Sequence, residues 1–259
     1  MSWPTELCLQ QFATFALVLA RIATLLMIAP LFGSATVPVR VRVVLALALA
    51  VLVVPVEWEK PAAHPETLAS FAVQVGAEFL VGATLGLGVL LLFSSMHVAG
   101  QLISQMSGMQ LADVFDPGFE SHVPGFSQLL SYVTLAVFVT IGGHRRVLEA
   151  LLDTFAWLPA GQGTFSRSIF DAMTSLLTHS FALGIRAAAP AMLALLLATL
   201  ILGLVSRTLP QLNVLALGFG MNAMVTTAVV SISLGAAAWT FQEEFETFLE
   251  TALVALNSG

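Results

Sequence analysis

Charge is what this sequence lacks most. Of its 259 residues, 9 are Lys or Arg and 15 are Asp or Glu, so 9% of the chain is charged and 58% is hydrophobic. Ordinary globular proteins carry about 25% charged residues. The mean hydropathy is +0.95. Too few polar groups remain to cover a water-facing surface, which excludes a soluble enzyme, and the same numbers exclude disorder. A formal net charge of −6 repels phosphate and excludes a nucleic-acid binder. Cysteine is nearly absent as well. Cys8 stands alone, so no intrachain disulfide can form, and a lone thiol on an apolar run reads as a small buried hydrophobe. No Lys or Arg precedes Arg21. A secretory signal needs a basic leading region, so the first apolar stretch is expected to stay in the mature protein. An integral membrane protein is the class left standing.

What is present is apolar and segmented. Six stretches stand out, at about 7–29, 41–56, 68–93, 129–141, 181–205 and 214–239. They predict an all-α, membrane-type fold with about six helical segments in one domain over 1–259. A spanning helix needs about 20 apolar residues, so 41–56 and 129–141 are marginal. Pro30, Pro38, Pro55, Pro61 and Pro65 punctuate the connections, as helix ends require. Trp3, Trp58, Trp157 and Trp239 lie at segment ends, where an amphipathic ring suits a membrane interface. No internal repeat is evident.

Six simple spans do not orient the chain. One side would hold Lys60, Arg145, Arg146 and Arg167, and the other Arg40, Arg42 and Arg207. A polytopic protein normally shows a clear excess of basic residues on its inner side. Either the charges are too few to show a bias, or some apolar helices are buried against partner subunits rather than lipid. The two short segments favour the second explanation.

Catalytic templates fail. There is no H-E-x-x-H, no G-x-S-x-G and no phosphate-binding glycine loop, and His64, His97, His122, His144 and His179 lack ligand-like spacing. Asp113 and Asp116 beside Pro117 and Gly118 read as a turn. No catalytic, cofactor-binding or metal residue is assigned, and the chain is not expected to be an enzyme. Ionisable residues inside the apolar stretches carry more information, because they are expensive in lipid and turn toward partners or water. Arg21, Glu78 and Arg186 are of this kind. Gly82 and Gly86 form a G-x-x-x-G pair, with Glu78 four residues before it, on one helix face suited to close packing. The stretch 94–128 has no Lys or Arg and mixes Met, Gly, Ser and Gln with Phe. Its length marks a solvated connector or a loop that lines or plugs a passage. Met106, Met109, Leu111, Phe115, Asp116 and Pro117 are its candidate gate residues.

Several of these residues recur in a known pattern. Pro30, Gly33, Pro38, Arg40 and Arg42 are followed by Glu78, Gly82 and Gly86, by Ala99-Gly100-Gln101, and by Asp116-Pro117. Gly143-His144-Arg145, Thr154-Phe155 before Pro159, Pro190 and the run from Gly203 to Phe219 complete it. The most specific piece, Ser206-Arg207-x-x-Pro210-Gln211-x-Asn213-Val214, resembles the FliR family of the type III export apparatus. The resemblance covers nearly the whole chain in order. It departs where Gly220 and Asn222 replace the family's usual Pro and Lys, so no role of that Lys carries over. The resemblance implies a non-catalytic export-gate subunit of the bacterial inner membrane and flagellar basal body, part of it held above the membrane plane. Its implied partners are FliP and FliQ, with FlhB and FlhA beyond them, unfolded protein substrates in transit, and membrane lipid, with no cofactor and no nucleic acid. It also implies helix pairs that fold back on themselves, and a pore plug for which 105–118 is the candidate. Arg21, Glu78, Gly82, Gly86, Arg186, Arg207, Pro210, Gln211 and Asn213 are the candidate packing and subunit-interface positions. The homologous injectisome subunits share the plan, but the Gly142-Gly143-His144-Arg145-Arg146 run looks more flagellar. A small-molecule transporter would need a repeat and paired broken helices, which this sequence lacks.

Overall fold

The structure, a computed structural model, describes residues 3–33, 37–58, 67–108, 125–163, 167–208 and 214–257. Their elements are helical: α1 Trp3–Ile28, α2 Pro30–Gly33, α3 Val39–Glu57, α4 Leu68–Ser107, α5 Gly125–Thr140, α6 Gly143–Trp157, α7 Arg167–Thr208 and α8 Val214–Asn257. Among the described residues there is no strand. Five of these helices are long and apolar enough to cross a membrane, and the chain is an all-α membrane protein.

Local chemistry sets the ends. Thr67 and Ser70 cap α4 reciprocally, each backbone N–H donating to the other's hydroxyl at 3.1 Å, which satisfies donors that the first turn otherwise leaves open. Gly142 separates α5 from α6 at φ +71°, a left-handed conformation that glycine adopts without steric penalty.

The element bounds differ from the sequence reading in instructive places. Residues 94–107, read as loop, are the last turns of α4. Their Ser, Gly, Met and Gln content suggested a connector, but small side chains are also what close helix packing uses. The helix α6 was not expected at all. Its surface carries Arg145, Arg146, Glu149 and Asp153 while Val147, Leu151 and Phe155 are buried, a one-sided pattern that a search for apolar runs passes over. Helices α7 and α8 run on well past 181–205 and 214–239.

Two compact units divide the chain. The first comprises Met1–Leu91, Gly142–Leu177 and Phe245–Gly259, and the second Leu92–Ile141 and Thr178–Glu244. Both draw on separated stretches, so neither is a segment that could be excised as a sequence domain. In the first unit α1 packs on α3 and approaches α4 closely. A Cβ at Gly82 would overlap the Arg21 carbonyl oxygen, and one at Gly86 would lie 2.9 Å from Ile28 Cβ. The buried core includes Ile22, Leu25, Val81, Leu85, Leu151, Phe245 and Phe248.

The second unit buries Ala99 and Ile103 of α4, Leu130 of α5, Ala188 and Ala191 of α7 and Val230 of α8 in one cluster. Phe93 meets Phe138 and Phe241 edge-on, with centroids 5.2 and 5.4 Å apart, the geometry favoured by the ring quadrupole. Small residues again set the spacing. A side chain at Gly100 would strike the Ser127 backbone, and one at Gly184 would sit 2.7 Å from the Ser95 carbonyl oxygen.

Candidate functional site: a buried ion cluster

Charge is scarce in this chain, so its placement is the first guide to a site. Among the described residues the first unit buries three ionic side chains: Arg21 and Glu78 at 0% exposure and Glu57 at 2%. Helix α1 presents Arg21 to α4, where Arg21 Nε donates to Glu78 Oε2 at 2.5 Å. Arg21 Nη1 reaches α6, donating to Thr154 Oγ1 at 3.1 Å, and also to the Leu158 carbonyl at 3.0 Å. The Thr154 hydroxyl keeps its own proton for the Leu151 carbonyl, at 2.6 Å. The Phe155 ring lies under the guanidinium, 4.2 Å from centroid to Cζ, a cation–π contact that gains strength when desolvated. Arg21 Nη2 is buried and has no hydrogen-bond partner among the described residues.

The two carboxylates share one task. Glu78 Oε1 accepts the Gly161 backbone N–H at 2.8 Å, and Glu57 Oε2 accepts that of Ala160 at 3.0 Å. Consecutive amides of the connection after α6 are thus fastened by acids from α3 and α4. Gly161 has φ +88°, where a side chain would be strained. Gly163 lies against Ala77, and a Cβ there would be 3.3 Å from the Ala77 Cβ. The site therefore holds a peptide turn tightly in place. Each carboxylate that appears here acts as a hydrogen-bond acceptor for backbone, and Arg21 Nε and Nη1 are spent on Glu78, Thr154 and Leu158. The chemistry on offer is positional. Among the described residues no group of three or more His, Cys, Asp and Glu side chains is arranged to hold a metal ion.

The model of the family described as bacterial export proteins, family 1, matches residues 12–248. The chain belongs to that family. Among its relatives are proteins named flagellar biosynthetic protein FliR. That of Escherichia coli (strain K12) is 30% identical over 220 residues, covering 85% of this chain and 81% of the relative. That of Bacillus subtilis (strain 168) is 26% identical over 250 residues, covering 93% of both chains. That of Caulobacter vibrioides is 24% identical over 235 residues, covering 91% of this chain and 94% of its own length. The whole ion cluster, from Arg21 to Gly161, falls within the stretch that matches the export-protein family.

Of the residues singled out from sequence, Arg21, Glu78, Gly82 and Gly86 come together in the first unit. Arg186 and Arg207 are exposed on α7. Met106 is half-buried in the last turn of α4, just before Gly108 at φ +74°. Met109, Leu111, Phe115, Asp116, Pro117, Pro210, Gln211 and Asn213 lie outside the described residues. Sequence reasoning missed Glu57, which sits at a helix end beside Trp58 and reads as an ordinary interfacial acid. It also assigned nothing to the turn at 158–163. The Pro159-x-Gly161-x-Gly163 spacing was the available signal for a tight turn, and Thr154-Phe155 stood in the family pattern without a role.

The second unit has a smaller polar group. His97 Nδ1 lies 3.3 Å from Ser131 Oγ and its Nε2 lies 3.2 Å from Gln101 Nε2. Ser127 Oγ donates to the His97 carbonyl at 3.2 Å, tying α5 to α4. The Ser131 hydroxyl donates to the Ser127 carbonyl at 2.8 Å, so its proton is not directed at the imidazole as a nucleophile–base pair would require.

Proposed function

We propose that this chain is a structural, non-catalytic subunit of the flagellar type III protein export gate in the bacterial inner membrane. It assembles with FliP and FliQ into a channel for unfolded flagellar substrates, with FlhB and FlhA as neighbours in the apparatus. The flagellar names of its relatives supply the system. The observation that carries the assembly is the extent of apolar surface left open along the helices.

A hydrocarbon core is about 30 Å thick. Helix α7 has 42 residues and α8 has 44, contour lengths of about 63 and 66 Å at 1.5 Å per residue. Large apolar side chains are exposed along most of that length, from Phe170 to Leu204 on α7 and from Met224 to Val254 on α8. Lipid can wet only about half of such a surface, and water would be unfavourable for the remainder. Neighbouring subunits with equally apolar faces satisfy it. Helix α3 adds Val44 at 65% and Leu52 at 72% exposure.

The gate element is 105–118, of which only the residues up to Gly108 are described. Its Met, Gly and Phe content gives weak, non-directional contacts that a moving polypeptide can displace. Deleting 106–112 from the full chain in its complex is expected to leave assembly intact and raise ion permeability. A sealed membrane around a fully assembled deletion variant would refute the plug. For the function itself, the tagged full chain extracted in mild detergent should bring FliP and FliQ with it. A chain that purifies alone, stable and monodisperse, from cells making those partners would contradict it.

A further inference from the structure

The second unit carries a strip of uncharged polar side chains. Ser94, His97, Gln101 and Gln105 follow one another along α4 at three- and four-residue spacing, which places them on one face of the helix. The first three are half-buried and Gln105 is exposed. On one side of the strip Gly100 packs on α5, and on the other Val98 meets Gly184 of α7. Helix α5 adds exposed Gln128 and Tyr132, the Gln128 amide donating to the Tyr132 hydroxyl at 2.9 Å. Neither α4 from Leu92 to Ser107 nor α5 contains Lys, Arg, Asp or Glu.

The strip differs from the other open faces of its unit. Exposed hydroxyls on Thr199, Thr227 and Ser231 donate to the carbonyl four residues back, which lets them sit against lipid or an apolar neighbour. Amide and imidazole groups have no such outlet. The Ser131 proton goes to the Ser127 carbonyl, so His97 donates from Nδ1 to Ser131 and accepts at Nε2 from Gln101. The Gln101 carbonyl oxygen and the Gln105 amide then have no partner among the described residues. Such groups are expensive against hydrocarbon, and in membrane proteins they turn to water-filled space. The large residues open on α7 and α8 are the reverse, with Leu193, Leu200, Leu204, Met224 and Ile232 at 58–82% exposure.

We propose that this strip is the face the subunit turns toward the passage, and that the extended polypeptide in transit runs along it. This rests on the chain acting as a subunit of a protein-conducting channel, and it names the side chains that meet the cargo. Amides and hydroxyls both donate and accept, which suits the repeating N–H and C=O of an extended backbone. Without fixed charge the strip makes no selection among cargo side chains. From Ser94 to Gln105 it covers about 17 Å at 1.5 Å per residue, the length of about five residues of extended chain. It ends at Gln105, the first residue of the gate element.

The test uses the full chain in its assembled complex, in its own membrane, with a flagellar substrate halted in transit by a folded domain fused to its trailing end. A photo-crosslinker at position 105 or 128 should capture the substrate. The same group at Leu197 or Ile232 should capture partner protein or lipid. The double change Gln101→Leu with Gln105→Leu should slow export about tenfold with the amount of assembled complex unchanged, while Gln105→Asn retains most of the rate. Adducts at 105 and 128 confined to lipid or to partner subunits would overturn the proposal. So would equal capture of substrate from Leu197, or a double variant that exports at the wild-type rate. A wild-type chain that recovers no partner would instead refute the function from which the proposal starts.

Discussion

The two units differ in the charge they bury. In the first, Arg21, Glu57 and Glu78 are buried and fastened to backbone and to one another, so charge there is a folding device. In the second, the core is aliphatic and small-residue packing, and its cations Arg186 and Arg207 point outward. With so few ionic groups in the chain, the buried ones stand out as the charges that close the fold.

That contrast predicts a graded set of outcomes. The largest effect belongs to Glu78→Leu, which leaves Arg21 buried without a counter-charge. Removing one partner of a buried pair destabilises by about 3–5 kcal/mol, and the thermal midpoint of the purified complex or the surviving membrane level of the chain would register it. The double change Arg21→Met with Glu78→Leu should recover part of the loss, because an apolar pair avoids the desolvation penalty. If the double variant is worse than Glu78→Leu alone, the cluster does more than satisfy its own charges.

Second comes Gly100→Val in the other unit, where the new side chain meets the Ser127 backbone. Overpacking of this kind costs about 1–3 kcal/mol, read as a lowered thermal midpoint with no change in ionic behaviour. Third is Glu57→Ala, which leaves the buried Ala160 N–H without its acceptor. The expected loss is about 1–3 kcal/mol, and proteolysis should begin at 158–163 before it begins elsewhere. Smallest is Arg145→Ala. Its i,i+4 pair with Glu149 is open to solvent, the two side chains being 79% and 50% exposed, and such pairs contribute about 0.5 kcal/mol or less. A clear shift in midpoint for Arg145→Ala would show that surface charge matters more than the comparison allows.

The sequence made parts of this legible because their physics is local. Apolar runs marked five of the long helices, and a charge inside such a run flagged Arg21 and Glu78. The four-residue spacing of Gly82 and Gly86 placed them on one face, and the structure sets that face against α1. Other parts are settled only by tertiary contact. Glu57 looks like an interfacial acid until α3, α4 and the 158–163 turn are brought together. Helix α6 has too little apolar content to register as a span, yet its buried stripe of Val147, Leu151 and Phe155 completes the first unit. The pairing of Arg146 with Glu246 joins residues one hundred positions apart, beyond any periodicity. The end of α4 misled for a related reason, since a run of Ser, Gly and Met reads alike whether it packs closely or loops.

The central claim is that protein, more than lipid, covers the open apolar faces. A nitroxide label at Leu197, with accessibility to membrane-dissolved oxygen measured on the chain alone and in the assembled complex, tests it most directly. The account predicts a mobile, oxygen-accessible label in the lone chain that becomes immobile and oxygen-poor on assembly. A label that stays mobile and oxygen-accessible in the intact complex would contradict it.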